Sequence, residues 1–244
     1  MEARLELTRQ AVDTHFWFRG FRAFVLPTLA AALGGSASLR LLDCGSGTGD
    51  NLVHLTAYGR AVGVDLSMSG VTHTRRAGYT VANADVTRLP FASGAFDAVT
   101  SFDVLQCVER DEEAVREMAR VLRPGGVAIF TVAALECLRG DHSEVWEEHH
   151  RYRPATARAL MAQAGLVPER VAFLFASLFP ILFVSRTAQR LTRSFRTRSD
   201  SSDIQVPAAP VNAVLSWCLA LEARVGRVVP MPVGSSLLVV ARKR

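Results

Sequence analysis

A glycine-rich bend, Asp43-Cys44-Gly45-Ser46-Gly47-Thr48-Gly49-Asp50, stands directly after the apolar run Leu39-Arg-Leu-Leu-Asp43. Alternate glycines let the backbone turn sharply and let a ligand lie against the main chain. The next apolar run, Ala61-Val-Gly-Val-Asp65, ends in an acid twenty residues after Gly45. A carboxylate at that distance from a strand, glycine turn and helix is suited to accept hydrogen bonds from two ribose hydroxyls. The conjunction implies a nucleoside-bearing ligand and an α/β fold around a parallel sheet.

The pattern continues along the chain. Short apolar runs at Tyr79 to Asp85, Phe96-Asp-Ala-Val-Thr-Ser101 and Gly126-Val-Ala-Ile-Phe-Thr-Val132 alternate with helical stretches, the signature of βαβ units. Asp111-Glu-Glu opens a helix with acids at its positive end, and Arg120 to Arg123 before Pro124-Gly125-Gly126 closes it. Pro154 to Gly165 reads as a further helix, Pro168 to Ala176 as a sixth strand, and Ser235 to Arg242 as a last one. Four parts follow: an N-terminal helical cap at 1–38, a nucleoside-binding core at 39–177, a helical lid at 178–233 that selects the substrate, and the core's final strand at 234–244.

A dinucleotide fold places its third glycine one residue later, where Asp50 stands. With the later runs Asp85-Val-Thr-Arg-Leu-Pro-Phe91, Phe96-Asp-Ala-Val99 and Leu122-Arg-Pro-Gly-Gly126, in order over about 39–134, the sequence resembles the class I S-adenosylmethionine-dependent methyltransferases, in their small-molecule, type 11-like group. The segments His15-Phe-Trp-Phe-Arg19 and Trp146-Glu-Glu-His-His-Arg-Tyr-Arg153 resemble a bacterial subgroup with an N-terminal His-x-Trp-Phe-like segment. The resemblance implies a Rossmann-like, doubly wound, mostly parallel seven-stranded sheet with an antiparallel last strand and the lid inserted between strands six and seven. It also implies S-adenosyl-L-methionine as cofactor. Gly45, Gly47 and Gly49 with the Ser46 backbone would shape the methionine pocket, and Asp43 would place the amino group. Asp65 would bind the ribose with Leu66 on adenine, Asp85 and Val86 would meet the adenine, Phe102 would line the methionine side, and Trp17 would cover the sulfonium.

Within the family, a Leu-x-His-Val-like run often follows strand four; here it is Leu105-Gln-Cys-Val108, so Cys107 stands where a histidine is usual. The Asn-Pro-Pro-Tyr run of many nucleic-acid amino-methylating enzymes is absent, the sequence being Ser101-Phe-Asp-Val104, which counts against methylation of exocyclic base nitrogens, and with no recognisable RNA module a nucleic-acid partner is not expected. An acid–base group is then sought in the loop after strand five. His149 and His150 are the candidates, because histidine titrates near neutrality, with Tyr152 beside them. His142, Glu144, His149 and His150 have no established metal spacing, and no metal is expected.

Charge divides the chain. Residues 1–150 hold 14 Arg and 19 acids, whereas 151–244 hold 13 Arg, one Lys and four acids. In the lid, the apolar stretch Leu178 to Val184 precedes Arg186, Arg190, Arg193, Arg196 and Arg198, a combination suited to an apolar acceptor with an anionic end, such as an isoprenoid diphosphate, a lipid-linked glycan or a quinone precursor. Methyl transfer to O or C of such an acceptor is the leading expectation, with peripheral membrane contact compatible. Cofactor binding without transfer, and RNA methylation by the basic part, are the alternatives. Val171 to Ser185 is uncharged but too short to span a bilayer, Met1 to Glu6 lacks an apolar signal core, and four scattered cysteines form no C-x-x-C; a cytoplasmic protein is expected.

Overall fold

The apolar runs become strands β1 (Leu39–Cys44), β2 (Gly59–Asp65), β3 (Thr80–Asn83), β4 (Phe96–Phe102), β5 (Leu122–Ala133), β6 (Leu166–Leu174) and β7 (Ser236–Lys243). The structure, a computed structural model, describes residues 11–35, 38–192 and 206–244. One sheet holds the strands in the order β3-β2-β1-β4-β5-β7-β6. Strands β1 to β5 pair in parallel, and β7 runs antiparallel between β5 and β6. The order reverses between β1 and β4, so a crevice opens at the carboxyl ends of those two strands, where doubly wound sheets take their ligands.

Helix α1 (Phe16–Leu33) precedes the first strand, and between the strands lie α2 (Leu52–Leu55), α3 (Met68–Arg76), α4 (Asp111–Val121), α5 (Asp141–Val145), α6 (Pro154–Gln163), α7 (Phe179–Thr192) and α8 (Ala209–Val225). Each face of the sheet carries its own core. Val115 and Met118 of α4 with Leu160 and Met161 of α6 meet Leu42, Val99 and Phe130 on one face. Phe21, Val25 and Leu29 of α1 with Leu219 and Ala223 of α8 meet Leu41, Ile129 and Leu238 on the other.

Two boundaries depart from the sequence pattern for a local reason. Strand β5 begins at Leu122, four residues before Gly126, because Leu122 is buried and pairs with Phe96. The register then shifts, Ala98 pairing with Val127, so Arg123 to Gly125 bulge outward opposite Asp97. Pro124 has no N–H to give a ladder and sits in that bulge. Strand β6 likewise starts at Leu166, where it faces Lys243.

The 178–233 stretch contains α7 and α8; Arg193, Arg196 and Arg198 lie outside the described residues. Helix α7 borders the loop after β5, with Arg190 Nη2 donating to the Cys137 carbonyl at 2.9 Å and Arg186 packed on Gly140. Helix α8 lies along α1, where a Cβ on Gly20 would come within 2.4 Å of Leu219 Cδ1. Gly20→Val is therefore expected to force the two helices apart and cost about 1–3 kcal/mol, read as a lowered midpoint in urea; an unchanged midpoint would show that the contact yields freely.

Candidate functional site

The glycine bend begins where β1 ends. The Gly45 and Ser46 N–H groups donate to the Val64 carbonyl at 2.8 and 2.9 Å, which fastens the bend to β2. Gly45 has φ +79°, and a Cβ there would lie 2.2 Å from Val104 Cγ2, so no other residue fits without displacing the loop after β4. Helix α3 backs the bend with small side chains. Thr74 Oγ1 donates to the Gly47 carbonyl at 3.1 Å, and Gly70 leaves room for that same carbonyl.

Asp65 closes β2 and clamps two loops at once: Oδ2 accepts from Gly47 N–H at 2.7 Å and Oδ1 from Ser67 N–H at 2.8 Å. A carboxylate has about four lone-pair positions, so two remain for hydroxyl donors. Behind it Asn83 Nδ2 donates to the Asp65 and Leu66 carbonyls at 3.0 and 2.9 Å, fixing the turn that leaves Leu66 exposed. Asp85 sits just past β3 at the surface, its Oδ1 accepting from Thr87 N–H and Thr87 Oγ1, both at 2.8 Å. Val86 turns into the core beside it.

Carboxylates at the two ends of the sheet are treated oppositely. Asp97, at the amino end of β4, accepts from Arg40 and Arg123, and these guanidiniums hold it down at about 2. At the carboxyl ends of β1 and β4 two carboxylates are pushed up. Asp43 is buried at the end of β1; Thr100 Oγ1 donates to its Oδ1 at 2.7 Å, while Oδ2 has no hydrogen-bond partner. Burial lifts its pKa to about 7. Asp103, just past β4, has the left-handed φ of +56° and takes the Thr131 hydroxyl at 3.1 Å; burial lifts it to about 6. Displaced carboxylate titrations at a sheet's switch point mark a functional site.

The rim beyond β4 and β5 is strained and charged. Asp103, Leu135, Glu147 and Phe175 all have positive φ, and all lie just past a strand end or in the loop after β5. Glu148 and Arg151 form a buried ion pair at 2.9 Å. Arg151 Nη1 also donates to the Ala134 carbonyl and Arg139 Nη1 to the Glu148 carbonyl, so the loop is tied to the end of β5.

The residues singled out in the sequence divide into two sets. The structure brings Asp43, Gly45, Ser46, Gly47, Gly49 and Asp65 together at the switch point, with Phe102 at the end of the adjoining β4, where its ring meets Phe21 edge-on at 5.5 Å. Trp17 stands one helical turn before Phe21 on α1 and stacks its ring at 4.0 Å on Phe175. Tyr152 is buried, its hydroxyl donating to Asp111 Oδ2 at 2.7 Å, and burial with that carboxylate pushes its pKa well up. His150 Nε2 lies 3.0 Å from the Glu109 carbonyl, and His149 is exposed, its N–H donating to the Gln106 carbonyl. Both histidines thus stand toward the start of α4. Asp103, Asn83 and Thr74 escaped the sequence reading; for Asp103 the available signal was an acid one residue past a strand at its carboxyl end.

A family model described as a methyltransferase domain matches residues 42–130. A demethylmenaquinone methyltransferase of Roseiflexus sp. (strain RS-1) is 40% identical over 154 residues, 58% of this chain and 61% of that protein. One from Roseiflexus castenholzii (strain DSM 13941 / HLO8) is 37% identical over 175 residues, 66% of this chain and 68% of that protein. The match to the first thus spans less than two thirds of its length. Among solved structures, an S-adenosylmethionine dependent methyltransferase from Mesorhizobium loti shares the fold with a TM-score of 0.57 and 20% identity, covering 89% of this chain and 96% of the other.

Proposed function

Because the chain belongs to the class I S-adenosylmethionine-dependent methyltransferases, we propose that it transfers a methyl group to oxygen or carbon of a small apolar acceptor of the quinone-precursor class. The observation that carries this reading is the unmatched buried oxygen of Asp43 beside a glycine bend whose neighbouring strand ends in the Asp65 clamp. These residues fit the cofactor: an anionic oxygen for an ammonium group, a backbone cradle with no Cβ at Gly45, Gly47 and Gly49, and a carboxylate with lone pairs to spare for a diol. The relatives named for demethylmenaquinone supply the acceptor class.

When bound, S-adenosylmethionine supplies an electrophilic methyl group on a positively charged sulfur. The chain's residues then bind, align and exclude water. Asp43 takes the amino group, Gly45, Gly47 and Gly49 with the Ser46 backbone hold the methionine moiety, Asp65 takes the ribose hydroxyls, and Leu66, Asp85 and Val86 meet the adenine. Phe102, backed by Phe21, closes the methionine side. Trp17, one turn from Phe21 on α1 and stacked on Phe175, covers the sulfonium from the N-terminal cap. Asp103 replaces His149 and His150 as the group that takes a proton from the acceptor, since it stands next to Phe102 at the switch-point strand and Tyr152 is committed to Asp111.

Calorimetry with S-adenosylmethionine and its demethylated product, followed by label transfer from methyl-labelled donor to an apolar quinone precursor, tests the reading. No heat with either ligand would refute it. Asp65→Ala is expected to weaken donor binding by at least about a hundredfold, two charge-assisted hydrogen bonds of about 1.5–3 kcal/mol each being lost. It should also lower the melting temperature by several degrees, because the Gly47 and Ser67 N–H groups lose their acceptor. Unchanged affinity would remove Asp65 from the pocket.

A further inference from the structure

Large apolar side chains left in solvent are concentrated in one part of the molecule. Of the sixteen that are exposed among the described residues, twelve lie within 181–229. On α8 the exposed set is Val211, Val214, Trp217, Leu221 and Val225, at intervals of three and four, which places them on one side of the helix. The opposite side carries Leu215, Leu219 and Ala223 into the sheet's core. Helix α8 is thus apolar on both sides, the character of a fully covered helix, yet Trp217 is 67% exposed. Helix α7 repeats the arrangement. Ile181, Val184 and Leu191 face solvent at helical spacing while Leu182, with Leu178 just before the helix, reaches the same core as α8.

Charge decides what fits there. Between Arg170 and Arg242 the sequence has seven arginines and only three acids, Asp200, Asp203 and Glu222. Glu222 is buried and accepts from the Ala176 and Ser177 N–H groups at 2.7 and 2.8 Å. Arg190, Arg224 and Arg227 are exposed. A second copy docked by two-fold symmetry along α8 would set Arg224 and Arg227 against their own kind with no exposed acid on that helix to offset them. An anionic lipid surface answers both properties: it takes an apolar helix face with a tryptophan into its interfacial layer and draws arginines to its headgroups. No helix among the described residues is long and apolar enough to cross a membrane, so the contact lies along the surface.

We propose that the outward faces of α7 and α8 form a docking surface for a bilayer containing anionic lipids. Helix α7 also borders the loop after β5, through Arg190 and the Cys137 carbonyl, so docking sets the carboxyl-edge rim beside the lipid. The proposal does not depend on the methyl acceptor and extends beyond it.

Flotation of the full chain with phosphatidylcholine vesicles, alone or one-third phosphatidylglycerol, tests it with neither donor nor acceptor present. The chain is expected to rise with the anionic vesicles and to stay behind with the neutral ones. Val214→Ser, Trp217→Ser and Leu221→Ser together should cut the bound fraction at least about tenfold, the loss expected from removing three interfacial apolar groups, with S-adenosylmethionine affinity unchanged as the measure of intact folding. Arg224→Glu with Arg227→Glu should abolish the preference for anionic vesicles. Equal flotation with both vesicle types, no flotation, or binding indifferent to the serine substitutions would overturn it. So would a dimer in sedimentation velocity that the serine variant dissolves, which would assign the surface to a second copy. A chain that floats but binds no donor would leave this surface standing while the proposed activity fell.

Discussion

Asp43→Asn is expected to weaken S-adenosylmethionine binding roughly a thousandfold while making the ligand-free protein more stable at pH 8. The two effects have one cause. In the ligand-free protein Asp43 is buried with one oxygen unmatched, and its pKa stands at about 7. Unfolded, the same group titrates near its ordinary value of about 3.9. Between those values the folded state binds more protons than the unfolded one, so stability is full below about pH 4 and is lost as pH rises toward 7. The ionised carboxylate costs about 4 kcal/mol above pH 7 at 1.36 kcal/mol per pH unit. Asparagine removes that charge, still accepts from Thr100, and leaves an amide to be satisfied at about 1–3 kcal/mol. A net gain of about 2 kcal/mol, or about 5 °C in melting temperature, follows.

Binding runs the other way. An ammonium group needs the ionised carboxylate, so affinity should fall about tenfold for each pH unit below 7 in the parent protein, and this dependence should vanish in the Asn variant. Breaking such a buried pair by removing one partner costs about 3–5 kcal/mol, which sets the thousandfold figure. Calorimetry from pH 5 to pH 7.5 with melting curves of both proteins checks it. A variant that binds the donor normally, or keeps the pH slope, would show that Asp43 serves only its hydrogen bond to Thr100.

Asp43 also shows why part of the site was legible in the sequence. Its position at the end of β1, the alternate glycines and the acid that ends β2 are consecutive or at fixed spacing, and each is set by backbone geometry that leaves a residue-type signature. Strand existence was readable for the same reason, because both faces of the sheet are buried and the strands are near-continuous apolar runs. What escaped depends on side-chain direction across distant segments. Nothing local announces that Trp17 stacks on Phe175 across 158 positions of sequence. Tyr152 and Asp111 meet because the loop after β5 passes the start of α4, a contact that spacing along the chain does not encode. The outward apolar stripe on α8 was hidden differently: a helix apolar on both sides reads as buried until its neighbours are known.

Asp103→Asn should lower kcat by about a hundredfold to ten-thousandfold, the range for loss of a positioned general base, with donor affinity nearly unchanged. The substitution isolates the proton-accepting role, because asparagine, like aspartate, tolerates the left-handed backbone that Asp103 adopts at φ +56° and can still take the Thr131 hydroxyl. Strain and fold are therefore preserved while the basic oxygen is lost. In the parent protein the acid limb should lie near pH 6, where burial places the Asp103 titration, with activity present above that pH and lost as the carboxylate is protonated below it. Glu148, beside the same segment and paired with Arg151, contributes to holding Asp103 up, and Arg151 opposes it. Glu148→Gln should then move the acid limb to lower pH without removing it, a shift that loss of rim packing alone would not produce. If Asp103→Asn retains more than a tenth of the parent kcat, or if its acid limb stays near pH 6, the proton is taken elsewhere on the rim and Asp103 serves only to hold β4 against Thr131.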